Sequence, residues 1–517
     1  MKGYIFNLKN KFGMKHLYFL IAVIFIFNLI VGIWPVTHGE IGLNTDRARD
    51  MIFISQIADG KMTLIGPRAS AIDNFYHGPI WWYMNALIAK IGGGEPIAIG
   101  FFWLFISLGF LIINWIVWKP IIGKKKTFLL ITLLTIATNF SWSRLYNPDI
   151  AGYLLPLIIW SMYKYDFQKR FHYIFLAYLF CGLTIQFQIA VGGPMLVFFV
   201  MWNIYQLKQR APISHLISIL LIPLTLFTYI AYDIRHDWQL SKALITHFTN
   251  PKLVIIPSWV STFNQRLRVV LLDAFRPANE LLEYNLLFTI LTTLGIYELF
   301  SKTKQSTPIK KLTLLCIYFL MTYFLVSLLH RGWILTHYFS PLVSIYMLLI
   351  TLVIPTEKKF WMGALTTIIF VISIVNFSFF SLYWKNHCQN IDSWCFQKYM
   401  SEQIRTIPEN EVGIFIFSPD LLGYQQKWAT LYAKSKNEKK LFINEKRKIT
   451  YVISSPVPKD RPDLDFTYWV KNNLYIPNKY TNQIQIGGGY LLHRYVLDEK
   501  TLNTLPSETP QNWLHYR

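Results

Sequence analysis

Charge is what this chain has least of. Only 15% of its 517 residues are charged, whereas soluble domains carry about 25%, so an ordinary water-soluble fold is excluded. Cysteine is nearly absent, with four residues, which rules out a disulfide-dense secreted scaffold, and no cysteine pairs occur at zinc spacing. Acidic residues number 28 against 50 lysines and arginines. No Walker motif is present, and the glycine runs Gly92–Gly94 and Gly487–Gly489 do not open a strand–helix unit, so neither cradles a nucleotide. There is no internal repeat and no low-complexity segment.

What is present is apolar. Hydrophobic residues make up 53% of the chain and aromatics 17%. Runs of bilayer-crossing length fall near 17–36, 96–118, 127–143, 147–163, 172–189, 193–207, 213–232, 284–300, 312–329, 338–355 and 360–384. The first run lacks a small-residue cleavage site after it and reads as a signal anchor. Segment 80–92 is apolar but short and reads as a partial or interfacial helix. The fold class is therefore mainly α, a polytopic helical bundle of about eleven spans over 1–384, with a long first loop at 37–79. Residues 385–517 turn polar, with strand-like runs at 412–417, 450–454 and 490–497, and read as a small α/β domain.

The formal charge of +22 invites a nucleic-acid partner. Topology explains it better, because the cations sit in short clusters between apolar runs. Lys2, Lys9, Lys11 and Lys15; Lys119 and Lys124 to Lys126; Lys164, Lys169 and Arg170; Lys208 and Arg210; Lys302, Lys304, Lys310 and Lys311; and Lys358 and Lys359 fall on one side, while the opposite short loops hold little beyond Arg144 and Arg331. This places the N-terminus in the cytoplasm. The first loop, the turn at 144–149, the loop 233–282 with its amphipathic stretch 259–275, the turn 330–337 and the C-terminal domain then share the extracytoplasmic face. Cys181 and Cys316 fall in spans and read as packing residues, while Cys388 and Cys395 suit a disulfide if that face is oxidising, in preference to metal binding by two cysteines without nearby partners.

Chemistry-bearing residues collect on the same face. In GLNTDRARD, Asp46 and Asp50 are four apart and share one side of a short helix, with Arg47 and Arg49 interleaved. A sugar transfer at a membrane surface needs a base for the acceptor hydroxyl and positive charge for the departing phosphate. The same four residues could equally form surface salt bridges. Farther along, Arg68 and His77 flank the Gly66-Pro67 and Gly78-Pro79 steps. Asn147-Pro148 breaks the chain between two spans and sets Arg144 and Asp149 at the outer face, where Asp149 could also cap a helix. Arg331 and His337 occupy a late outer turn. Asp233, His236 and Asp237 read as a solvated helix end rather than a metal site.

The succession of an anchor, Asp46-x-x-x-Asp50, ADGKMTLIGP and FYHGPIWWY resembles the first extracytoplasmic loop of the GT-C glycosyltransferase superfamily. The resemblance is to the bacterial branch related to protein O-mannosyltransferases and the lipid A aminoarabinose transferase, families 39 and 83. It implies that Asp46 is the catalytic residue, with Asp50 beside it. It implies a sugar donor on a polyprenyl phosphate, an inverting transfer, and an acceptor (protein, lipid or glycan) on the same face of the bacterial cytoplasmic membrane. A divalent metal ion is the one cofactor admitted, and no nucleic acid partner is implied. One departure stands out: Tyr76-His77-Gly78-Pro79 replaces the acidic residue, lysine and double proline of many relatives. Arg47, Arg49, Arg68, His77, Arg144, Asp149, Arg331 and His337 are then the candidates for donor and substrate contacts. A polymerase or ligase of lipid-linked glycans, dependent on Arg331 and His337, and a non-enzymatic flippase are the rival readings.

Overall fold

The computed structural model describes residues 13–507, apart from 70–71, 145, 250–257, 272–281, 302–306, 331–337, 421, 437–438, 460, 462 and 478. It is mostly helical, with a small sheet near the C-terminus. In chain order the first helices are α1 (Met14–Thr37), α2 (Thr45–Ala58), α3 (Ile80–Ile91) and α4 (Pro96–Thr138). There follow α5 (Asn147–Gln168), α6 (Phe171–Phe187), α7 (Ile189–Lys208), α8 (Ile213–Ile219), α9 (Leu221–Thr225) and α10 (Phe227–Arg235). Next come α11 (Gln239–Thr249), α12 (Trp259–Leu271), α13 (Leu282–Ser301), α14 (Thr307–Ser327), α15 (Val343–Val353) and α16 (Lys359–Lys385).

Five of these helices are long and apolar enough to cross a membrane, or six if the bent pair 213–225 and 227–235 counts as one. The lengthiest, α4, is not one straight rod. Gly123 sits at φ 79°, ψ 162° inside it, a left-handed conformation that glycine adopts without penalty. The Pro96 end packs through Gly100 on Val36 and Ile41, and the Thr138 end leads to Asn139 and Trp142, which pack on Gly32. Lys125, just past the break, lies over the Tyr18 ring at the other end of α1. The chain therefore reverses at Gly123, and α4 is a hairpin of two antiparallel helices. By contrast α3, at 12 residues, measures about 18 Å and is too short to span alone.

A polar ladder ties the bundle together. Asn28 donates to Ser373 Oγ at 2.8 Å and takes a bond from Asn139 at 3.1 Å. Where α6 and α7 meet, the helix breaks at Gln188. Asn147 Nδ2 donates there to the Phe187 carbonyl at 2.6 Å, and the Gly78 amide donates to the Gln186 carbonyl at 3.0 Å. The first loop is thereby pinned on the bundle. Within it, Gly66 is in close contact with the neighbouring turn: a Cβ at this position would sit 2.1 Å from the Gly78 carbonyl oxygen. Gly66→Ala is expected to cost about 1–3 kcal/mol through forced backbone movement. A melting curve in detergent reads this, and an unchanged midpoint would contradict the packing.

Past α16 the chain forms helices α17 (Trp394–Arg405), α18 (Tyr424–Ser435), α19 (Phe466–Asn473) and α20 (Glu499–Asn503) around a five-stranded sheet of order β2-β1-β3-β5-β4. The strands are β1 (Glu411–Phe417), β2 (Lys440–Ile443), β3 (Ile449–Ser454), β4 (Asn482–Gly487) and β5 (Tyr490–Val496). β1 runs parallel to β2 and β3, while β5 runs antiparallel to β3 and β4. The three runs expected from sequence are β1, β3 and β5. The other two escaped the pattern because β2 has four residues and β4 reads NQIQIG. Val412, Ile414, Tyr451, Ile453 and Leu492 build a core on one face with α17 and α18.

This unit sits on the first loop. Leu43 N–H donates to the Asp392 carbonyl at 2.6 Å, and Trp394 N–H donates to the Ile41 carbonyl at 2.8 Å. Gln397 Nε2 reaches the Leu43 carbonyl at 2.6 Å.

Candidate active site

Helix α2 begins at a side-chain cap. The Asn44 side chain accepts from the Arg47 amide at 3.2 Å, and Asp46 lies in the first turn, where a carboxylate offsets the positive end of the helix. Met51, Ile52 and Ile54 face the core, and Phe53 stacks on Trp82 of α3 at 4.3 Å.

The two arginines of the loop go to different places. Arg49 bridges both carboxylates: its Nη1 is 2.9 Å from Asp46 Oδ1, and its Nη2 is 3.0 Å from Asp50 Oδ1. Asp50 is buried, and its other oxygen accepts from Trp81 Nε1 at 3.2 Å. Burial pushes the Asp50 carboxyl above its ordinary value, against the pull of Arg49. Burial also works against the charge on Arg49, but Asp50 and Asp46 outweigh it and hold the guanidinium protonated. Asp46 differs: its side chain is 48% exposed. Of the two carboxylates, Asp46 is the one that a substrate can reach.

Arg47 turns the other way. Its Nη1 donates to the Gly42 carbonyl at 3.2 Å, and the guanidinium stands 5.3 Å from the centre of the Tyr146 ring. Tyr146 belongs to the second candidate segment, which docks on the loop through the Gly42 amide and the Ser143 carbonyl at 3.0 Å. Burial pushes the Tyr146 phenol up, and Asp46 adds to this. Asp149, in the first turn of α5, interacts with Arg144, Arg47 and Ser340. The structure therefore gathers Asp46, Arg47, Arg49, Asp50, Arg144 and Asp149 around one corner of the bundle.

The other candidates are placed as follows. Arg68 is 2.7 Å from Asp73 in an ion pair open to solvent, a type worth about 0–1 kcal/mol. His77 is buried and faces the α6–α7 break, its Nδ1 3.5 Å from the Ile189 amide. Arg331 and His337 lie outside the described residues. Next to them, His330 Nδ1 is 3.2 Å from His247 Nε2, and the buried Arg266 donates to the Ser327 and His330 carbonyls. Asp233 is occupied in capping α11, accepting from the Leu240 and Ser241 amides at 2.7 and 3.1 Å.

Two features were missed in the sequence. Tyr424 and Gln425, at the start of α18, come against α2. Thr45 Oγ1 donates to Gln425 Oε1 at 3.3 Å, and the Tyr424 phenol, raised mainly by burial, feels both Arg49 and Asp46. Nothing in a lone Tyr-Gln-Gln run far along the chain signals this. The second feature is Glu40, buried and 3.0 Å from His387, beside a disulfide between Cys388 and Cys395. Burial pushes Glu40 up to about 7, against the pull of His387 and His38.

A metal fits poorly at Asp46. Its nearest partners are cationic, and both oxygens of Asp50 are committed to Arg49 and Trp81. Among the described residues, one cluster of three or more metal-ligating groups converges, at Glu40, and it is a different place.

No protein-family model matches this chain, and no curated protein matches it in sequence. Solved structures match it in fold. ArnT from Cupriavidus metallidurans bound to undecaprenyl phosphate aligns with a TM-score of 0.58 at 9% identity, over 96% of this chain and 100% of that one. The apo state of ArnT gives 0.58 and 9% over 92% and 97%. An Archaeoglobus fulgidus oligosaccharyltransferase in complex with Zn and sulfate gives 0.44 at 10% identity, over 84% of this chain and 67% of that one, too low a score to carry an argument. At such identities what is shared is architecture, and over nearly its whole length this chain has the fold of ArnT.

Proposed function

We propose that this chain is an integral membrane glycosyltransferase. It moves a sugar from a polyprenyl-phosphate donor to an acceptor outside the cytoplasm, with inversion at the anomeric carbon. The observation that carries the reading is the half-exposed Asp46, held by Arg49 where the first loop, the 139–149 turn and the C-terminal unit meet. That one of the ArnT structures was solved with undecaprenyl phosphate supports the donor class.

In this mechanism Asp46 takes the proton of the acceptor hydroxyl. The freed oxygen attacks the anomeric carbon from the face opposite the phosphate, and the carbon–oxygen bond to phosphate breaks. Arg47 and Arg144 neutralise the departing polyprenyl phosphate. Arg49, pinned by Asp50, holds the Asp46 carboxylate in place. Residues 385–517 act as a domain that covers the site and guides the acceptor.

Eleven crossings are the topology that goes with this. The count exceeds the five helices that qualify by length and hydropathy for three physical reasons. The hairpin at Gly123 supplies two. Helix α5 has the length but carries Asp149, Lys164 and Asp166. The remaining extras are short or bent apolar helices, such as 171–187, 286–301 and 340–353. The N-terminus is then cytoplasmic and the C-terminal domain extracytoplasmic, in the cytoplasmic membrane of a bacterium.

The test is purified protein in detergent offered labelled polyprenyl-phosphate sugars and extracted envelope acceptors. Label moving to the acceptor supports the reading. Donor binding without transfer under any acceptor favours the flippase, and transfer that survives loss of Asp46 but not of Arg331 favours the polymerase or ligase. Arg47→Ala is expected to weaken undecaprenyl-phosphate binding about 10–100-fold, the worth of one charge-assisted hydrogen bond. A titration followed by thermal shift measures it, and unchanged affinity removes Arg47 from the phosphate site.

A further inference from the structure

At the seam between the first loop and the C-terminal unit, four donor groups converge that the transfer chemistry does not use. A carboxylate oxygen of Glu40, a ring nitrogen of His387 and the sulfurs of Cys388 and Cys395 all lie within 4.8 Å of one another. A tetrahedral zinc shell separates such donors by about 3.3–3.8 Å, so small movements suffice.

Two further observations point to a cation. Glu40 is 2% exposed, and its Oε2 is buried with no hydrogen-bond partner, an arrangement that costs energy unless something positive completes it. His387 places Nδ1 2.5 Å from the Trp384 carbonyl, which assigns the proton to Nδ1 and turns the Nε2 lone pair towards Glu40. This backbone carbonyl behind the ring is the second-shell partner that metal-ligating histidines ordinarily have. An imidazole lone pair and a carboxylate facing each other at 3.0 Å need a proton or a metal between them.

We propose that Glu40, His387, Cys388 and Cys395 form a redox-alternative zinc clasp between the first loop and the C-terminal unit. In the oxidised state the sulfurs are joined, as they are here. When an external dithiol reduces that bond, it gives up two electrons and two protons and closes its own disulfide, leaving two thiols. Zn²⁺ then displaces both thiol protons to solvent and takes two Zn–S bonds, one bond to His387 Nε2 and one to a Glu40 oxygen. Cys388 is exposed, so the reductant has access. The disulfide closes only a local loop, since its cysteines are seven residues apart. The zinc form instead fastens the strand leading to α2 directly to the C-terminal unit, reinforcing the Leu43–Asp392 and Trp394–Ile41 bonds. The clasp stands independently of the transferase reading.

The experiment uses the full chain in detergent, stripped of metal by a chelator and then dialysed against zinc with and without a trialkylphosphine, which becomes the phosphine oxide. Zinc content and alkylation of individual cysteines are both read. The reduced protein is expected to hold one more zinc per chain than the oxidised protein, and zinc is expected to slow alkylation of Cys388 and Cys395 at least tenfold. Buried Cys181 and Cys316 serve as internal references. Glu40→Gln and His387→Gln, eluting like the native chain, should each weaken this zinc at least tenfold. Equal zinc in both redox states, or alkylation indifferent to zinc, overturns the clasp. Native-like zinc affinity in Glu40→Gln also overturns it.

Discussion

Asp46→Asn is expected to lower the turnover of sugar transfer by about 10²–10⁴-fold, the usual contribution of a general base, while leaving donor affinity close to native. The argument is geometric. Asparagine keeps the volume and the single acceptor that Arg49 uses at 2.9 Å, so the helix and the arginine should stay in place. What it removes is the capacity to take a proton. The check is steady-state transfer at saturating donor, with donor binding measured separately on the same preparation. A fall in affinity with unchanged turnover would assign Asp46 to binding.

Asp50→Ala should act on the fold first. Asp50 is buried, takes two bonds from Arg49 on one oxygen and one from Trp81 on the other. Truncating it leaves the Trp81 N–H without its acceptor and Arg49 with half its compensation. Breaking a buried pair in this way costs about 3–5 kcal/mol. Asp50→Asn retains an acceptor and the shape, so it should lose less stability while still loosening Arg49 and lowering transfer. Melting in detergent and transfer by the surviving monodisperse fraction separate the two effects. A native melting point for Asp50→Ala would mean that Arg49 does not depend on it.

The helix of the first loop was legible because its signal is local. Asp46 and Asp50 share a helical face by spacing alone. Which arginine does what was not legible. Arg47 and Arg49 are two apart and so point to different sides of α2, but the sequence does not say which side meets the C-terminal unit and which meets Tyr146. The reversal at Gly123 was readable from the lysines beside it, which have no place inside a bilayer. Glu40, Tyr424 and His387 were not readable, since each acquires meaning only through a neighbour hundreds of residues away. The same holds for His77, whose role at the α6–α7 break depends on Gln186 to Ile189.

The most direct measurement is a single-turnover reaction with a polyprenyl-phosphate sugar of known anomeric configuration, run in parallel on wild type and Asp46→Asn of equal monodispersity. The account predicts that wild type yields a glycoside of inverted configuration, while Asp46→Asn binds the same donor and yields little product. Equal product from both proteins, or retention of configuration, would contradict it.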